Sequence, residues 1–103
     1  MRTVRISKTF IRQLNELLAF GEDRFGAKVI DEKRALVYAA IRQKIAYSPR
    51  SKPPHRRLKL TVYPVTKTPF LVLYDFDDIE LRVHFVFLKG ASFRGLDPKS
   101  AEW

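Results

Sequence analysis

The chain is predicted to adopt an α+β fold: an N-terminal strand, a helical hairpin, then a three-stranded antiparallel meander, all in one mostly antiparallel sheet with the helices laid on one face. Three observations lead there. Apolar residues alternate with a period of two at the start of the chain and again after residue 57, as half-buried strands require. Between residues 10 and 45 they recur instead at spacings of three and four, the signature of amphipathic helices. And 46% hydrophobic content with eight Phe in 103 residues is enough for one core, so a single domain over residues 1–103 is expected.

In chain order, Thr3 to Ile6 alternates as a short strand, and Ser7 is placed to cap the helix that follows. Phe10, Ile11, Leu14, Leu17 and Leu18 form one apolar stripe, and Gly21 is read as its stop. After Phe25-Gly26 a longer pattern begins, in which Val29, Ile30, Leu36, Val37, Ala40, Ile41 and Ile45 share a face while Lys33, Arg34, Arg42 and Lys44 lie mostly away from it. The short connection predicts antiparallel packing of the two stripes, and Pro49 forces Ser48 out of the helical region.

From Arg50 to His55 the composition turns to Pro, Ser and cations, an exposed loop with an extended Pro53-Pro54 step. Leu58, Leu60 and Val62 then alternate with Lys59, Thr61 and Tyr63 as a second strand, which Pro64 limits or places at a sheet edge. Phe70 to Tyr74, apolar on both faces, reads as a central strand. Asp77-Asp78 turns the chain and Glu80 to Phe87 returns. Alternation along that last strand puts Arg82, His84 and Val86 on an open face and Val83, Phe85 and Phe87 on the other. The tail after Lys89 is too rich in glycine and proline for a long element, and Trp103 either docks it on the sheet or stays exposed.

Charge is the strongest functional signal. Twenty Lys and Arg against eleven Asp and Glu leave +9, and from Lys33 to Lys67 there are ten cations and no carboxylate. Cations gathered on one surface repel one another, which points to nucleic acid or an acidic protein as partner. The absence of cysteine excludes disulfides, a thiolate nucleophile and Cys-ligated zinc. Two histidines, His55 and His84, make no metal site, no cofactor motif is present, and Asp75, Asp77, Asp78 and Glu80 are read as turn chemistry rather than a calcium loop. With neither a signal-peptide core near the start nor an apolar run of spanning length, a cytoplasmic protein without membrane partners is expected.

The Ser-led first helix, the basic loop after the helices, the cationic second strand and a Phe-Leu-Val-Leu-Tyr hairpin ending in Val-His-Phe-Val-Phe-Leu-Lys-Gly at 83–90 together resemble the RelE/ParE superfamily of bacterial toxins, over residues 2 to about 97. The resemblance implies a small toxin of a type II toxin-antitoxin system, neutralised when a cognate antitoxin segment wraps the helical hairpin and sheet, with Leu14, Leu18, Arg34, Arg42 and Arg56 as candidate antitoxin contacts. ParE-like members inhibit DNA gyrase; RelE-like members cleave messenger RNA in the ribosome. Metal-free RNA cleavage needs a proton acceptor at the 2′-hydroxyl, cations for the phosphorane and a proton donor for the leaving oxygen. As a ribonuclease, this chain would rely on Arg57, Lys59, Arg82, His84 and Arg94. Leu71 and Gly90 stand where the RelE-like pattern has arginines, so the ParE-like branch is favoured, with Lys59, Arg82, Lys89 and Arg94 as candidate target contacts. The alternatives are the ribosome-dependent endoribonuclease and a basic interaction module without toxicity.

Overall fold

The structure, a computed structural model, describes residues 2–103. It is α+β: β1 (Thr3–Ile6), α1 (Lys8–Phe25), α2 (Ala27–Ala40), a π-helical turn (Ile41–Ile45), β2 (Thr61–Pro64), β3 (Phe70–Phe76) and β4 (Glu80–Leu88). The sheet order is β1-β4-β3-β2, with β1 parallel to β4 and the other pairs antiparallel. The mostly antiparallel sheet, the helical hairpin and the edge position of Pro64 match the sequence-based expectation. No helix among the described residues is long and apolar enough to cross a membrane.

Ser7 joins β1 to α1 and is fully buried. Its Oγ accepts from the amide of Phe10 at 2.8 Å, satisfying one of the free N–H groups of the first turn, and donates to the carbonyl of His84 at 2.6 Å. One hydroxyl thus caps the helix and ties it to β4. Ser7→Ala is expected to lose about 2 kcal/mol, a cap plus a buried hydrogen bond. Urea denaturation checks it, and a loss below about 0.5 kcal/mol would mean the tie is dispensable.

Phe10, Leu14 and Leu18, each four residues on from the last, form the buried stripe of α1, whereas Ile11 is 43% exposed. Gly21 does not end the helix as its identity suggested. A Cβ there would lie 3.1 Å from the Ile30 side chain, so this glycine lets α2 approach, and the chain breaks instead at Gly26, whose φ of 83° suits glycine. Along α2, Ile30, Val37 and Ala40 are buried, but Val29 is not among them. The Ala46 amide bonds Ile41 O, five residues back, and this widened turn brings both Ile41 and Ile45 fully into the core.

Two further departures lie in the sheet. The second strand starts at Thr61, because Lys59 takes a left-handed φ of 60° and the chain doubles back through His55 N to Leu60 O at 2.7 Å; Leu58 and Leu60 are buried all the same. In the β3–β4 pair, Tyr74 faces Val83 but Leu73 faces Phe85, so His84 is an extra residue, a bulge. The bulge resets the alternation: Leu81, Val83 and Val86 pack under the helices, while Phe85 joins Leu58, Leu60 and Leu73 on the opposite face. His84 and Val86 therefore do not share a face.

That opposite face is not open. Phe93, Leu96, Ala101 and Trp103 of the irregular tail pack across it. The Arg57 guanidinium clamps the strap by donating to the carbonyls of Leu96, at 3.1 Å, and Phe93. At its far end, Lys8 N donates to Glu102 O at 2.7 Å and Glu102 N to Thr9 Oγ1 at 2.9 Å.

Candidate functional site

The turn at the end of the β3–β4 hairpin is built by Asp77, whose Oδ1 accepts the amides of Ile79 and Glu80 at 2.8 and 2.7 Å. Residues equidistant from that turn meet across the hairpin, so Asp75 stands opposite Arg82. Arg82 Nε donates to Asp75 Oδ1 at 2.9 Å, and its Nη1 to Asp77 Oδ2 at 2.9 Å and Glu80 Oε1 at 3.3 Å. On the other side of Asp75 lies His84, 8% exposed, with Nε2 at 2.9 Å from the same Oδ1. Burial pushes the Asp75 carboxyl up, but the bonds from His84 and Arg82 outweigh it and leave it below the ordinary range. An ionised Asp75 only accepts, so His84 Nε2 carries the proton and the buried Nδ1 is left without a partner. The Trp103 indole closes over the imidazole edge-on at 4.8 Å and carries the Arg5 guanidinium over its own ring at 4.9 Å.

The predicted cations are therefore not one constellation. Arg82 is engaged by three carboxylates of its own chain, Arg57 is spent on the tail, and His84 is roofed by Trp103. Lys89 follows the opposite end of β4, seven strand residues from Arg82, or about 23 Å, with its Nζ directed at Val65 O at 3.3 Å. Arg94 is exposed on the tail, and its amide donates to Ser92 Oγ. Lys59 lines an open cleft of about 330 Å³, with Arg50, Lys52, Pro53, Pro54 and Phe76, and Asp75 in its wall. Among the described residues no His, Cys, Asp or Glu group is arranged to hold a metal.

The helical side has a different character. Leu14 and Leu18, expected at a partner surface, are 0% and 1% exposed and belong to the core. Arg34 pairs with Asp31 at 3.4 Å, and Arg42 and Arg56 are exposed. What the hairpin does present is a groove of about 460 Å³ between its tip and the Phe70–Leu88 end of the sheet, formed by Leu17, Phe20, Phe25, Val29, Phe70 and Leu88 with Lys33 among its lining side chains. Phe20 is 85% exposed and Phe25 60%. A sequence signal for both existed, since Phe20 falls off the four-residue stripe and Phe25 precedes the chain-breaking glycine.

No protein-family model matches the chain, and a comparison with curated proteins returns no match.

Proposed function

We propose that the chain is a RelE/ParE-type toxin of the ParE-like branch, which inhibits DNA gyrase by binding and is neutralised by a cognate antitoxin. The observation that carries the choice of branch is the engagement of Arg82 and His84. A nuclease must present its cation and its proton carrier to the phosphodiester, whereas here Arg82 meets three carboxylates and His84 lies between Asp75 and Trp103. The element order, the Ser7 cap and the basic loop support the superfamily reading. Purified protein is expected to stall supercoiling of relaxed plasmid by gyrase, and full supercoiling at high molar excess would overturn the assignment. One observation favours the ribonuclease alternative: Asp75, which holds His84, also lines the cationic cleft. Codon-phased cuts in the transcripts of expressing cells would select it.

The antitoxin contact in this reading is an amphipathic helix seated in the Phe20–Phe25 groove, its apolar face buried and its flanking carboxylates meeting Lys33 and Arg34. Aromatic anchors in such grooves carry a disproportionate share of affinity. Phe20→Asp is expected to weaken the antitoxin complex about 30-fold or more by calorimetry, without moving the urea midpoint, because the ring is 85% exposed in the free protein. An unchanged affinity would put the antitoxin elsewhere.

A further inference from the structure

The loop between the π-helical turn and β2 carries charge that no carboxylate among the described residues offsets. Among the described Lys and Arg side chains, only Arg34 and Arg82 form ion pairs. Arg50, Lys52, Arg56 and Lys59 are exposed and paired with no carboxylate. The loop is nonetheless built rather than slack. Pro54 bridges to Thr61, Lys59 N donates to His55 O at 2.8 Å, Leu58 N donates to His55 Nδ1 at 3.2 Å, and the Tyr74 hydroxyl holds Pro49 O at 2.8 Å. These ties keep Lys59 at its left-handed φ of 60°, a conformation a lysine adopts only when its surroundings impose it.

The ties support two adjoining clefts, each of about 330 Å³, that share Arg50. Lys52, Lys59 and Phe76 line the first, and Arg2 and Tyr47 the second. Aromatic faces are interleaved with the cations. Arg2, whose Nε also donates to Asp77 O at 2.6 Å and leaves its other nitrogens to a ligand, and Arg50 lie over the Phe76 ring at 5.0 and 5.7 Å, Lys52 is 6.0 Å from the centre of Tyr63, and Tyr47 is 79% exposed. The one carboxylate in the wall, Asp75, is already bonded to Arg82 and His84.

A concave cationic track with an exposed aromatic face suits a chain of phosphates whose bases can stack. An acidic peptide needs only the cations, and the bases of a duplex, already stacked on one another, are not free to stack on Tyr47. We propose that Arg2, Arg50, Lys52 and Lys59, with Tyr47 as stacking platform, form a binding site for single-stranded nucleic acid. The site shares Lys59 and the cleft beside Asp75 with the candidate target contacts, and its binding is measured apart from gyrase inhibition and from cleavage.

Fluorescence anisotropy with a labelled single-stranded oligonucleotide of mixed sequence tests it. With about four phosphates neutralised, the logarithm of the binding constant should fall with the logarithm of salt at a slope near −3. The triple variant Arg50→Ala, Lys52→Ala, Lys59→Ala should bring that slope close to −1, and Tyr47→Ala should weaken binding about tenfold. A control triple of equal charge loss on other exposed surfaces, Arg12→Ala, Lys28→Ala, Lys99→Ala, should leave the slope nearly unchanged. Equal effects of the two triples would reduce the binding to net charge and overturn the site. So would undetectable binding at 50 mM salt, or a polyglutamate peptide that competes as well as the oligonucleotide does.

Discussion

Replacing Arg82 by methionine is expected to lower stability at neutral pH by about 2–3 kcal/mol and to flatten its loss in acid. The stability figure rests on Asp75, a half-buried carboxylate that would keep only His84 as partner once the guanidinium is gone. Asp77 is more exposed to water and Glu80 meets the guanidinium only at 3.3 Å, so these two add less. The pH signature follows from direction. Asp75 lies below the ordinary carboxylate range, and Asp77 is held at about 2 by Arg82 and by the amides of Ile79 and Glu80. Carboxyls depressed in the folded state stabilise it above their unfolded values and lose that contribution as pH falls through the folded ones. The native chain should therefore lose stability between about pH 4 and pH 2, and Arg82→Met should lose less over the same span. Urea titrations at pH 7, 4, 3 and 2 would show the gap between the two proteins closing in acid; a constant gap would exclude the network as its source.

Phe10→Ala is expected to cost about 4 kcal/mol, a large fraction of the stability of a domain of this size. Phe10 is fully buried in the first turns of α1, packed with Val83 and Val86 in the core beneath the helices, and its ring meets Tyr38 of α2 edge-on with centroids 6.3 Å apart. One side chain thus joins both helices to the sheet, and the cavity left by alanine would open where these layers meet. Phe10→Leu, which keeps most of the volume, should cost less than about 1.5 kcal/mol. Equilibrium unfolding would rank the two, and near-equal losses would show that Phe10 does not fill the seam.

Features that depend on a few neighbouring residues are legible in the amino-acid sequence. The strand at Thr3–Ile6, the Ser7 cap and the turn at Asp77-Asp78 each arise from side chains acting on backbone within about four positions. Pro64, which lacks a ladder donor, is read as limiting its strand or lying at an edge. Gly21 and Gly26 are indistinguishable at that level: both can end a helix, and only the nearness of Ile30 assigns the first to packing and the second to the break. The alternation of β4 is sound up to His84, where one unpaired residue reverses the facing of all that follows.

The candidate site is less legible than the fold. The abundance of cations from Lys33 to Lys67 is plain, but their assignments are not. Arg57 grips carbonyls of Phe93 and Leu96, more than thirty positions away, and Arg82 is matched by Asp75 only once the hairpin closes. Periodicity, capping and charge content are properties of short stretches of chain, and they determined the elements, their order and the presence of a basic surface. Which cations face solvent, that His84 sits under Trp103, and that the tail straps the second sheet face depend on contacts between segments far apart in sequence. Those contacts exist only once the core has brought the segments together, so they were decided by tertiary packing alone.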